Sequence, residues 1–419
     1  MKKKYQLFLI ISIIFLILLL TFTLIFNSDK KENDLNKQET TKIKKVYNIP
    51  KVYFQGNIKN MLTKQDIRKI EINYISDNYN FKTYAKIKIQ GTSSLAYEKK
   101  NYTINLYEDE EYKNKNKIDL GWGPQNKYCL KANWIDKTHS RNIVTAKLAS
   151  EVSKKYKVLN NTPNNGVIDG YPIEVYINDE FLGIYTWNIP KDGWMLNMDE
   201  NNNNNLLFSN EDWFEENLFR ANATYKTYSI EHGEENKENL EKLNRLINFV
   251  KESSNEEFKK NINNYINKDA AINYFIIAEF AGLIDNIAKN MLLATYDGKI
   301  WYPILYDLDT SWGTMYDGLS TINYNLNTNL VGSELWLKLE TNYKKEIAKR
   351  YFELRKDILT KDHVMKMFKE FDALIPKETK EKEQNKWKNI PGYEINQIEE
   401  FLDARIPLID KIMKERLNS

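Results

Sequence analysis

The sequence predicts an α+β fold, sheet-rich in its first half and helical in its second, preceded by one transmembrane helix. Three observations carry this. Strand-like runs fill residues 46–106 and return near 173–185 and 290–306. From Glu334 to the end the spacing turns predominantly helical. An uninterrupted apolar stretch, residues 5–26, opens the chain and is long enough to cross a bilayer as a helix.

That stretch follows Lys2, Lys3 and Lys4, and no small-residue cleavage pattern succeeds it, so residues 1–27 read as an uncleaved single-pass anchor. Six lysines follow it between Lys30 and Lys45, so charge leaves the orientation open, with the outside the favoured side for the folded body. Residues 28–45 are polar and read as a flexible tether, and the folded domain spans 46–419.

Within the 419 residues, 61 Lys and Arg nearly balance 58 Asp and Glu, for a net charge of +3. The basic residues are interleaved with acids, which argues against a nucleic-acid partner. Apolar content suffices to bury a core. A single cysteine, Cys129, excludes an intramolecular disulfide and a thiolate zinc site, and its apolar neighbours predict burial.

Tyr84-Ala85-Lys86-Ile87-Lys88-Ile89 and Asn101-Tyr102-Thr103-Ile104-Asn105-Leu106 alternate around Gly91-Thr92-Ser93-Ser94, a hairpin-like unit with Tyr102, Ile104 and Leu106 on one face. Residues 108–118 are charged loop, and 142–156 have helical spacing. Asn178-Asp179 turns one strand into the next, and Tyr296-Asp297-Gly298 joins a second pair. The asparagine run 201–205 reads as a loop, and 240–250 and 270–282 as helices.

The chemistry concentrates in Asp285-Asn286-Ile287-Ala288-Lys289-Asn290 and, after a hairpin, Tyr306-Asp307-Leu308-Asp309. An Asp, four residues and an Asn reproduce the spacing of a protein-kinase catalytic loop, and a later acid follows the next β element. Phosphoryl transfer needs hard oxygen ligands for magnesium, offered by Asn290, Asp307 and Asp309, and a carboxylate near the acceptor, offered by Asp285. On an extended strand end Asp307 and Asp309 would point to one side. The same residue types also serve as turn and cap residues, and acid pairs serve glycosidases, so a carbohydrate-active enzyme stays open on these residues alone. Upstream, the turn carrying Ser93 and Ser94 precedes Lys99-Lys100. Lys100, in phase with Tyr102 and Ile104, is the lysine expected to reach inward to phosphates.

In this order the blocks resemble the spore coat protein H (CotH) kinase-like family. Gln90-Gly91-Thr92-Ser93-Ser94 with Lys99-Lys100 is similar to its opening pattern, and Leu130-Lys131-Ala132-Asn133-Trp134-Ile135-Asp136 with Arg141-Asn142 to its second. Val175-Tyr176-Ile177-Asn178-Asp179 with Gly183-Ile184-Tyr185 matches the third. The Asp285 and Asp307 segments match the fourth and fifth. Thr92 and Tyr306 stand where the family carries Asn and Trp.

The resemblance implies a diverged protein kinase-like fold and an ATP- and magnesium-dependent kinase acting on Ser or Thr of coat- or surface-type proteins, a Ser-rich coat protein among them. It places Asp285 as catalytic base and Asn290 and Asp307 as metal ligands, with Asp309 either a further ligand or a cap of the following turn. Ser93 and Ser94 fall to the nucleotide, and Lys100 and Arg141 become contacts to its phosphates or structural contacts. An inactive kinase-like scaffold or adhesive surface protein is the alternative. His139, His232 and His363 lack metal-like spacing, the tryptophans read as packing, and 377–388 reads as a solvated helix face or loop.

Overall fold

The computed structural model describes residues 49–58, 61–212, 218–324 and 332–419. The expected anchor and tether lie outside these. Among the described residues no helix is long and apolar enough to cross a membrane.

The amino-terminal half is a closed seven-stranded barrel. Its strands are β1 (Lys51–Gln55), β2 (Ile67–Ile75), β3 (Asn80–Gln90), β4 (Asn101–Tyr107), β7 (Lys127–Lys131), β8 (Gly170–Ile177) and β9 (Glu180–Asn188), ordered β1-β2-β3-β4-β7-β9-β8. A small ribbon, β5 (Ile118–Asp119) and β6 (Pro124–Gln125), is inserted before β7. The parallel pairing of β1 with β8 closes the ring, which removes the exposed edges that an open sheet would leave. Strand alternation fills the interior: Ala85, Ile87 and Ile89 on β3 and Tyr102, Ile104 and Leu106 on β4 are buried, as the two-residue period requires. Asn178 and Asp179, both at positive φ (46° and 67°), make the tight β8–β9 turn. Cys129 is buried on β7.

The second half is helical around a four-stranded sheet. The strands β10 (Leu206–Asn210), β11 (Tyr228–His232), β12 (Met291–Thr295) and β13 (Trp301–Leu305) are ordered β11-β10-β12-β13. The helices are α1 (Arg141–Ser153), α2 (Lys157–Asn160), α3 (Lys237–Glu252), α4 (Asn255–Asn261), α5 (Lys268–Ala281), α6 (Glu334–Leu354), α7 (Lys361–Leu374), α8 (Lys377–Lys386) and α9 (Ile395–Asn418). Helix α5 is predominantly apolar and has no solvated face because it runs through the centre of this half and is buried along nearly its whole length. Asn267 caps its start by accepting the Ala270 amide at 2.9 Å, and Gly282, at φ 64°, ends it. Two cores result, one inside the barrel and a larger one among α5, its sheet and the carboxy-terminal helices.

The mixed α+β architecture and its sheet-first order match the expectation. The charged segment 377–388 is largely a solvated helix, as expected, but one side of it is buried. Helix α8 is exposed over most of its surface but buries Thr379 and Glu383 against the barrel. Glu383 accepts the Ile184 amide at 2.8 Å and pairs with Lys99 at 2.6 Å. Lys99 is sealed inside and also donates to Ala132 O at 3.0 Å. A short polar helix conceals this role, because only one residue in each turn points inward.

Candidate functional site

A cleft of about 510 Å³ opens where the barrel mouth, the start of α1 and the second sheet meet. The turn after β3 covers it with Gly91, Ser93 and Ser94. Asp285 and Asn290 come from the loop between α5 and β12, and Asp307 and Asp309 from the segment after β13. The turn after β3 and two segments far along the chain therefore bring Ser93 and Ser94 together with Asp285, Asn290, Asp307 and Asp309.

Local structure explains how. After Gly282 the chain makes a single helical turn, Ile284–Asn286, and Asn286 turns inward, where it is fully buried. Its Nδ2 donates to Tyr306 O at 2.7 Å and to Asn290 O at 3.2 Å, so one amide ties the Asp285 loop to the end of β13. Tyr274 from α5 donates to Asn286 O at 2.7 Å, and Trp336 donates to Ile287 O at 3.1 Å. Beyond β13, the Leu308 amide donates to Asn142 Oδ1 at 3.0 Å, and the Trp312 indole donates to Thr145 Oγ1 at 2.7 Å, anchoring the second acidic segment on α1.

Asn133, Asn290 and Asp307 all line the cleft at positive φ (50°, 63° and 55°). Short polar side chains tolerate that region better than others, and its cost concentrates at functional sites. For Asp307 this corrects the strand-face argument. β13 has ended at Leu305, and Asp307 and Asp309 share the cleft because the backbone turns through a left-handed residue, not because an extended strand continues.

The electrostatics are those of crowded acids. Burial raises Asp285 to about 6, with Asp307 adding to the rise, while Lys289 and the amide of Asn290, which donates to Asp285 Oδ2 at 3.0 Å, pull the other way. Burial and then Asp307 push Asp309 to about 8. Lys131 supplies the compensating charge: its Nζ lies 3.2 Å from Asp307 Oδ1. Burial works against that ammonium, yet Asp307, Tyr306 and Asp309 outweigh it and hold the lysine charged. Among the described residues no three His, Cys, Asp or Glu side chains are drawn together closely enough to hold a metal ion alone. The donor set nevertheless fits magnesium. Two or three hard oxygens, with surplus negative charge to neutralise, leave room for phosphate oxygens and water, which magnesium keeps in preference to an all-protein cage.

Two expected nucleotide residues are placed elsewhere. Lys100 does not turn into the cleft. Its ammonium donates to Leu95 O at 2.7 Å and to Tyr97 O, bracing the Ser93–Ala96 turn from behind. Tyr102 and Ile104 do point into the barrel, but Lys100 precedes the first paired residue, Asn101, so the alternation does not extend to it. Arg141 is wholly buried, pairs with Asp136 and donates to Gln397 Oε1 at 2.8 Å, which joins the start of α1 to α9. The residue that faces the acids is Lys131, the last of β7. Its sequence signal was a charge ending the apolar run Tyr128-Cys129-Leu130. A second polar group was also unforeseen: Lys191 pairs with Glu231 at 2.9 Å and lies near Glu211 at 3.8 Å, along the β10–β11 floor of the cleft.

A family model described as CotH kinase protein matches residues 87–408, a stretch that contains the covering turn, the Asp285 loop and the Asp307 segment. Comparison with curated proteins found no match.

Proposed function

The chain belongs to the CotH kinase protein family, and on that premise we propose that it is an ATP- and magnesium-dependent atypical protein kinase with a diverged kinase-like fold, phosphorylating Ser or Thr of coat- or surface-type proteins. The observation that carries this reading is the convergence of Asp285, Asn290, Asp307 and Asp309 in one cleft under the Gly91–Ser94 turn. In this reading the apolar stretch 5–26 tethers the enzyme to a membrane.

Asp285 is the catalytic base. With an acidity near 6 it is ionised at neutral pH yet basic enough to take the proton of an acceptor hydroxyl as that oxygen attacks. Asn290, Asp307 and Asp309 would hold magnesium, which when bound neutralises the charge on the transferring phosphoryl group. Ser93 and Ser94, with the neighbouring backbone amides, cover the phosphates. Lys131 pairs with Asp307 and is within reach to turn toward phosphate oxygens. Lys100 and Arg141 support the turn and the start of α1 without touching nucleotide.

Full-length protein given γ-labelled ATP and magnesium is expected to label itself or a Ser-rich acceptor protein. Asp285→Asn should lower transfer by about 10²- to 10⁴-fold, the usual contribution of a general base. Labelling that survives this substitution unchanged overturns the assignment of the base. Magnesium-dependent nucleotide binding with no transfer by the unaltered protein would favour the inactive scaffold instead.

A further inference from the structure

Among the exposed large apolar side chains of the described residues, two share one short loop at the cleft mouth: Tyr316 is 63% and Leu319 70% exposed. The loop follows Asp309 directly, and Tyr316 lines the same cleft as Asp285. It is not a loose excursion. Asp317 accepts the Leu319 and Ser320 amides, each at 2.9 Å, and the Ser320 hydroxyl at 2.6 Å. The Met315 amide donates to Ser320 O at 3.0 Å, and Tyr393 donates to Leu319 O at 2.5 Å. Gly318 sits so close to the barrel-side loop that an added Cβ would lie 2.8 Å from Ile135 O. Hydrogen bonds and close packing thus hold two apolar side chains out in solvent. Beside Tyr316 the cleft wall continues with Trp134, Ile135 and Tyr97.

A pre-ordered apolar pair at the rim of a polar cleft has the character of an interface anchor: its ordering is settled before a partner arrives, so covering it is not offset by lost freedom. We infer that Tyr316 and Leu319 grip the acceptor polypeptide, selecting a Ser or Thr that carries an apolar or aromatic side chain a few residues away. The occupant follows from continuity. A chain whose hydroxyl reaches Asp285 must leave the cleft, and Tyr316 stands on its wall while Leu319 extends the same loop outward. This inference rests on the kinase reading.

The test uses the full-length protein, γ-labelled ATP and a peptide library with a fixed Ser or Thr and randomised flanks. Enrichment of Leu, Phe or Tyr at one flanking position is expected, and Tyr316→Ala with Leu319→Ala should abolish it and raise KM for the selected peptide about tenfold, as loss of a modest interface anchor does. The magnesium–ATP thermal shift should be unchanged in that variant, since neither residue is assigned to nucleotide. Transfer without apolar selection, or selection that persists in the double variant, overturns the inference while leaving the kinase reading intact. Absence of transfer to any peptide by the unaltered protein, with no nucleotide-induced shift, overturns both.

Discussion

Two buried ion pairs, one behind the barrel mouth and one inside the cleft, use the same chemistry to opposite ends. Lys99 and Glu383 are sealed, with side chains 0% and 4% exposed, and every strong partner is in place: two backbone carbonyls for the ammonium, the Ile184 amide for the carboxylate. Lys131 is almost as buried, but its partner Asp307 is one-third exposed and is crowded by Asp285 and Asp309. The first pair has nothing left to bind and fastens α8 to the barrel. The second is crowded: Lys131 pairs with Asp307, Lys289 and the side-chain amide of Asn290 act on Asp285, and Asp309 is buried beside them. A closed pair holds a fold together, whereas an open one keeps charge in reach of a ligand, which the proposed function takes to be magnesium and ATP.

The largest effect that would break this contrast is catalytic. Asp307→Ala should abolish phosphoryl transfer while the protein keeps its far-UV dichroism and cooperative melting. A comparable loss of folding would place Asp307 with the structural pair. Next in size, Glu383→Ala leaves the Lys99 ammonium buried and unpaired and should destabilise the protein by about 3–5 kcal/mol in denaturant titration. Combining it with Lys99→Met should recover most of that loss, since removing both charges is far cheaper than stranding one. If the single variant were neutral, the fastening role would be wrong.

These two lysines also show what the sequence made legible. Hairpins were readable from local turn chemistry, as at Asn178-Asp179 and Tyr296-Asp297-Gly298, where both partner strands lie close by in the chain. The Asp285 to Asn290 spacing and the later Asp-x-Asp were readable because their residue types and order are local patterns. Barrel closure was not, since β1 finds β8 more than a hundred residues away and nothing in either strand names the other. The choice of lysine failed for a related reason. Lys99 and Lys100 look exposed beside a polar turn, and only packing against α8, some 280 residues on, buries Lys99. Lys131 looked like the end of an apolar strand, and its acidic partner comes 176 residues later. The left-handed residues Asn133, Asn290 and Asp307 leave only a faint trace, their shared short polar side chains.

A smaller effect sharpens the cleft half of the comparison. Lys131→Met should cost little stability, because Asp307 can turn to water, but should weaken magnesium–ATP binding about tenfold, the worth of one good charge-assisted contact. Calorimetric titration checks this, and undiminished affinity would reduce Lys131 to a local counterion.

The last test concerns pH. Asp285 and Asp309 are held above the ordinary aspartate value of 3.8, so the folded state keeps their protons more tightly than the unfolded state does. That contribution is fully present below pH 3.8 and is lost as pH rises through about 6 for Asp285 and about 8 for Asp309. Melting in a metal chelator should therefore show this part of the stability falling across that window. Asp309→Asn, which cannot ionise, should flatten the fall and melt higher than the unaltered protein at pH 8. A variant that follows the parent profile would remove Asp309 from the crowded set.

The central claim is that an amide and acids from separate stretches meet around a divalent cation and a triphosphate. Calorimetric titration of ATP into the full-length protein, with magnesium and with chelator, tests it most directly alongside Asn290→Ala and Asp307→Asn. Binding that requires magnesium and weakens at least tenfold in each variant is the predicted result, whereas ATP binding of equal strength without magnesium, or unaltered by both substitutions, would contradict it.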